Sequence, residues 1–157
     1  MTREQAAETA IKAALAAASL DGTDAEGNAY TVALRCSLID DDPDSLRDDS
    51  AYPLAYVSSD IAYSEETDGD CPWVIPVQIA FATINSLDTK KQTALAIYEA
   101  GRNAVEKNDA ADWTAFNPAG YAIDALIVEP GGEISTTDEG TKLNVFAFPA
   151  TVHLRGA

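Results

Sequence analysis

The sequence predicts an α+β fold, a mainly antiparallel sheet with two helices packed on one face. Three observations predict it. An alanine-rich amphipathic segment opens the chain, and apolar alternation of period two then recurs in several short segments. A second amphipathic segment falls between the third and fourth of these, giving the order α-β-β-β-α-β-β. At 157 residues the chain is expected to form one domain spanning 1–157.

Thr2 followed by Gln5 fits a capping box. Ala7, Ala10, Ile11, Ala14, Leu15 and Ala18 then recur at helical spacing, and their small side chains suit close packing. After the turn-rich "DGTDAEGN", the residues Tyr30, Val32, Leu34, Cys36 and Leu38 alternate with Thr31, Ala33, Arg35 and Ser37 as a strand. "DDDPDSLRDDS", residues 40–50, holds six aspartates and a proline and reads as an exposed acidic loop. "YPLAYVSSDIAY" resumes extended structure.

A second acidic turn, "SEETDGD", precedes a strand from Trp73 to Thr83. Pro76 inside it implies an edge position, a bulge or a place among its first residues. Asp88 is a good N-cap for a helix from Thr89 to Lys107, whose Ala94, Ile97, Tyr98, Gly101 and Val105 form one face. Gly101 in mid-helix costs about 1 kcal/mol relative to alanine, which implies close backbone approach there. "NDAADWTAFNPAG" is a loop or short helix anchored by Trp113 and Phe116. "YAIDALIVE" and "KLNVFAFPATVHL" are strands joined by a long hairpin connection.

The composition is that of a folding protein, with 46% hydrophobic and 23% charged residues. Twenty-six acidic residues against ten basic ones give a formal charge of −16. Such a surface disfavours non-specific binding to nucleic acid or anionic lipid. Glu4, Glu8 and Lys12 interrupt what would be a signal-peptide core, and no apolar run approaches a membrane span. Cys36 and Cys71 are too few for a disulfide framework, so reduced thiols are expected.

Tests for site chemistry return little. In an EF-hand register starting at Asp40, Asp42 and Asp44 are in phase, but Ser45 stands where glycine belongs and Ala51 where glutamate belongs. Registers built on Gly27 or Gly69 also fail, and zinc would need more cysteine and histidine. His153 is the only histidine, with no nucleophile elbow beside it. A pairing with Cys36 or Cys71 stays open, although Cys36 alternates with core residues. A carboxylate pair such as Asp60 with Asp124 carries no specificity in so acidic a chain. No metal, cofactor or catalytic residue is assigned.

Lys90, Lys91, Arg102 and Lys107 place four of the ten basic residues on the second helix. One reading is a solvated helical face. The other is charge segregation, in which Lys90, Lys91 and Arg102 face Asp40, Asp41, Asp42 and Asp44 of another copy and favour head-to-tail association.

"PWVIPVQIAFAT", "LDTKKQTALAIYEAGRNAVEK" and the closing "FAFPATVHLRGA" resemble the small tail-terminator, or tail-completion, proteins of long-tailed bacteriophages. The likeness is one of layout and size over nearly the whole chain. It implies a virion protein without enzyme activity, assembled in the host cytoplasm as a hexameric ring. Such a ring caps the tail tube protein, stops its polymerisation and offers a surface to a head-closure or connector protein. DNA would pass through the ring without specific binding. The alternative is a small ligand-binding or hydrolytic α+β domain of bacterial origin. A closed pocket with converging polar groups would mark that alternative, and flat self-complementary surfaces the first reading.

Overall fold

The computed structural model describes residues 1–40, 51–64, 73–134 and 142–156. Its elements run α1 (Arg3–Ala18), β1 (Gly22–Thr23), β2 (Ala29–Tyr30), β3 (Ala33–Cys36), β4 (Leu54–Ser59), β5 (Tyr63–Ser64) and β6 (Trp73–Ile84). They continue as α2 (Gln92–Val105), α3 (Ala110–Trp113), β7 (Tyr121–Val128), β8 (Gly132–Glu133) and β9 (Leu143–Gly156). The α+β expectation holds. Strands are ordered β3-β4-β6-β9-β7, with β5 beside β6 and β8 beside β9, while β1 and β2 form a separate hairpin.

The ladder at the centre is β6 against β9, antiparallel in unbroken register from Trp73↔Leu154 to Ile84↔Leu143. Ile75, Val77, Ile79 and Phe81 of β6 share one face with Phe148, Val152 and Leu154 of β9, all buried in the core. Both long helices cover this face. Tyr98 of α2 packs edge-on against Phe81 and Phe148. The Glu8 carbonyl of α1 accepts from Cys36 Sγ on β3.

Helix α1 begins with the expected capping box, Gln5 N–H donating to Thr2 Oγ1 (3.1 Å) and Thr2 N–H to Gln5 Oε1 (2.9 Å). Its apolar stripe ends at Leu15. Ala18 is exposed, and Leu20 beyond the helix closes the core instead.

The strand expected from Tyr30 to Leu38 is divided. Ala29 and Tyr30 pair with β1, whereas Ala33–Cys36 pair with β4. Leu38 is 44% exposed, because the Asp40 N–H donates to the Cys36 carbonyl (3.0 Å) and turns the chain after Cys36. The β3–β4 pair is parallel, the one departure from antiparallel pairing among the described residues of the sheet. A parallel pair needs a crossover of a dozen or more residues, and the chain between Cys36 and Leu54 supplies it.

Pro76 lies on a central strand, so of the three expected placements the edge is set aside and the place among the strand's first residues holds. Its carbonyl accepts from the Asp60 N–H (2.8 Å), at the break where β4 has ended and β5 has not begun. Pro149 of β9 sits in the equivalent gap between β7 and β8, its carbonyl accepting from the Glu129 N–H (2.9 Å). A residue without an N–H is tolerated there because no ladder bond is lost.

The second helix starts three residues later than expected, at Gln92. Lys91, in the left-handed region (φ 60°), is its N-cap and makes no side-chain cap bond. Asp88 caps the helix from outside it, its carboxylate accepting from the N–H groups of Thr93 (3.1 Å) and Ala94 (2.9 Å). Trp113 is fully buried with its Nε1–H on the Lys107 carbonyl (2.8 Å), and its ring meets Phe116 edge-on.

Gly101 lets α2 sit directly on the sheet: a Cβ there would lie 2.2 Å from Cζ of Phe81. Phe81 is fully buried and stacks on Phe148, so its ring has little room to move. Gly101→Ala is therefore expected to destabilise the protein by about 1–3 kcal/mol despite alanine's better helix propensity. Urea unfolding measures this, and an unchanged or raised midpoint would refute the close approach.

Candidate interaction surface

The turn from Ile84 to Asp88 joins β6 to α2 through a polar network. Thr83 Oγ1 donates to Asp88 Oδ2 (2.8 Å), Asn144 Nδ2 donates to the Asp88 carbonyl (2.7 Å), and Asn85 Nδ2 donates to Asn144 Oδ1 (3.2 Å). Thr83 and Asn144 are almost fully buried. They are visible in the sequence as polar residues in phase with Phe81 and with Phe146 and Phe148, a signal the apolar alternation obscured.

Beside this turn lies a cleft of about 120 Å³ whose walls include Tyr30, Pro53, Ile84 and Leu87. Its two carboxylates are already engaged. Asp88 caps α2, and the Asp24 carboxylate accepts from the N–H groups of Glu26 and Asn28. Burial, then the charges of Asp21, Asp24 and Asp88, raise the Tyr30 phenol above its ordinary value. The phenol thus stays protonated at neutral pH.

A polar stripe on α1, Glu4, Glu8 and Lys12, fastens the helix to the sheet. Glu8 is fully buried; Ser37 Oγ (3.1 Å), the Leu38 N–H (2.9 Å) and the Ser59 hydroxyl all donate to its carboxylate. Glu4 accepts from the Ala62 N–H (3.0 Å), and Lys12 pairs with Asp40 (2.9 Å). Sequence reasoning took these residues only as breaks in an apolar run. Glu8 lies three residues before Ile11 and seven before Leu15, so its place on the buried stripe was legible.

Part of each outer edge of the sheet, β3 and β7, is engaged by hydrogen bonds from outside it. On β3 the Cys36 N–H donates to Asp40 Oδ2 (2.9 Å), and just before it the Val32 N–H donates to Asp21 Oδ1 (2.8 Å). On β7 the Ile123 N–H donates to Asn117 Oδ1 (3.0 Å) and the Leu126 N–H to the Lys107 carbonyl (3.2 Å). Donors engaged in this way are unavailable to an added strand, and carboxylates on an edge repel one.

The sheet face opposite α1 and α2 differs from the rest of the molecule. Cross-strand partners place Tyr56, Ala80 and Ala147 in one row and Ala125 and His153 in another. Ile127, 49% exposed, lies opposite Thr151. Among the described residues the strands of this sheet hold two acids, Asp124 and Glu133, and each is in an ion pair, with Arg155 (2.7 Å) and Lys91.

The residues singled out from the sequence are distributed as follows. Asp40 is tied to Lys12 and the Cys36 N–H, Lys91 to Glu133, and Arg102 to the Glu129 carbonyl (3.0 Å), with its guanidinium over the Phe148 ring. Lys90 is exposed beside the hairpin residues Asp24 and Glu26. Asp41, Asp42, Asp44 and Cys71 lie outside the described residues. The sheet separates Cys36 on the helix-covered face from His153 on the opposite face, so they form no catalytic pair. Asp60 accepts from the Ile61 N–H and Asp124 is bound to Arg155, so each is engaged separately.

No protein-family model matches the chain, and no curated protein matches it in sequence. In structure it is similar to a chain from the virion of a native gene transfer agent (GTA) particle. The two are 14% identical, with 97% of this chain and 96% of that chain covered and a TM-score of 0.54. The fold is one that a virion component also adopts.

Two predictions follow from the α1 contacts. The Ala62 N–H, first among its hydrogen bonds, lowers the Glu4 carboxyl; burial works to raise the Asp40 carboxyl, but Lys12 and the Cys36 N–H outweigh it. Both are depressed, so the stability they contribute is present above their unfolded values, about 4, and is lost as pH falls through the folded ones. Asp40→Asn is expected to flatten the loss of the urea midpoint below pH 4, and a curve parallel to wild type would refute this. Burial, and then the Glu8 charge, push the Cys36 thiol up to about 12. In a Cys71→Ser background, Cys36 should react with a disulfide reagent at pH 8 only as fast as the protein unfolds; rapid labelling in native buffer would show an accessible thiol.

Proposed function

We propose that this chain is a structural protein of a phage-like virion, and within that class a tail terminator. The observation that carries the reading is the fold shared with a gene transfer agent virion chain over nearly the full length of both. The order of elements in the resemblance to tail terminators supports the finer assignment. Copies form a ring, expected to be hexameric, on the end of the tail tube protein and present its other side to a head-closure or connector protein.

The charge suits such a role. A net −16 per copy, repeated around a ring, repels phosphate and lets DNA pass without being gripped. The head-to-tail contact proposed from the sequence joins Asp40, Asp41, Asp42 and Asp44 to Lys90, Lys91 and Arg102 of the next copy. Because Asp40, Lys91 and Arg102 already have partners within the chain, Lys90 is the cation we assign to this contact first.

The deciding measurement is molar mass by light scattering, with and without the tail tube protein, followed by electron microscopy of the tubes. A ring, formed in solution or on tube ends, and tubes of limited length are expected. A strictly monomeric protein that leaves tube growth unaltered would overturn the terminator assignment.

A further inference from the structure

The geometry points to the sheet face opposite α1 and α2 as a docking surface for a second copy of this chain, packed face to face across a two-fold axis. This inference is independent of ring closure, since a two-fold contact pairs copies whereas a ring needs head-to-tail contacts.

Charge is the first argument. In a chain of −16, nearly every approach of two copies brings carboxylates together. The described sheet strands are the exception: Asp124 is neutralised by Arg155, and Glu133, in the row of Phe146 on the helix-covered side, by Lys91. Arg35, opposite Tyr56, adds a cation to this face. An ion pair such as Asp124 with Arg155 is also self-complementary under a two-fold axis.

Engaged edges are the second argument. With the Cys36, Ile123 and Leu126 N–H groups engaged by Asp40, Asn117 and the Lys107 carbonyl, sideways extension of the sheet by a copy is disfavoured relative to packing on the face.

Shape is the third. Ala80, Ala125 and Ala147 keep the face low, while Ile127 and Ile134 stand 49% and 40% exposed. Asp60 after β4 and Glu129 after β7 lie at the rim of this face, around a centre of Ala80, Ala147, Pro149, Gln78 and Thr151 that holds no carboxylate. A second copy presents the same twist, which two sheets need to pack about 10 Å apart. Five strands about 4.8 Å apart and about 20 Å long give a face on the order of 500 Å². Two of them in contact bury about 1,000 Å², the low end of specific interfaces, so the pair should be concentration-dependent.

The test is sedimentation equilibrium of the full chain at several concentrations and at low and high salt. Wild type is expected to form a pair that tightens as salt screens the repulsion between the remaining carboxylates. Ile127→Glu should weaken pairing at least tenfold, while Leu95→Glu, on the exposed side of α2, should not change it. Should Ile127→Glu fail to fold by circular dichroism, Gln78→Glu, exposed on the same face, replaces it.

A wild type monomeric at all concentrations, or pairing unaffected by the face substitution or equally weakened by Leu95→Glu, would overturn the proposal. A ring indifferent to Ile127→Glu, with no separable pair, would sink the face contact and leave the terminator reading standing. A pair lost on that substitution, without any ring, would do the reverse.

Discussion

The antiparallel ladder between β6 and β9 is the constraint on which the rest depends. Its register runs without a break over the length of β6, so every residue of both strands is assigned to one face or the other. A slip of one residue would carry Ile75, Val77, Ile79 and Phe81 away from the helices. The same ladder fixes where the neighbouring strands can stop. Pro76 and Pro149 fall where β4 and β7 have ended and the short strands β5 and β8 have not begun, so the central strands keep their length without sacrificing a bond.

The two helices are attached to this ladder by different physics. Helix α2 is held by packing: Gly101 admits the Phe81 ring, and Tyr98 lies against Phe81, Phe146 and Phe148. Helix α1 is held by alanine packing and by a buried carboxylate. Glu8 has three donors around it, the condition under which a charge can be taken out of water. That arrangement draws the turn after β3 against α1 and brings Asp40 to Lys12, and Asp40 in turn engages the β3 edge. Edge protection and helix anchoring are therefore parts of one polar seam.

This organisation separates the molecule electrostatically. Among the described residues, carboxylates lie in turns, helix surfaces and rims, while the strands are nearly free of them. In the proposed assembly role both halves serve: the acidic surface keeps copies apart until a specific contact forms, and the carboxylate-poor face supplies a contact with a smaller desolvation penalty.

Much of the architecture is determined by the sequence alone, because it follows from local periodicity and from residues with narrow conformational tolerance. The capping box at Thr2, the α1 stripe through Leu15, the long strand from Trp73, the close approach at Gly101 and the anchoring by Trp113 are all of this kind. Tertiary structure decided what depends on partners distant in the chain. Pro76 left an edge, a bulge or an early strand position open, because sequence does not reveal that a neighbouring strand ends beside it. Asp88 looked like an N-cap, yet it serves the helix from outside because Thr83 and Asn144, the latter 56 residues away, hold it. Glu8 became a buried linchpin, and Asp40, Lys91 and Arg102 became internal contacts, because their partners come from other elements. The carboxylate-poor sheet face exists only once strands far apart in sequence lie side by side. Hydrophobic period is a local property of the chain, whereas charge pairing and open surface belong to the assembled fold.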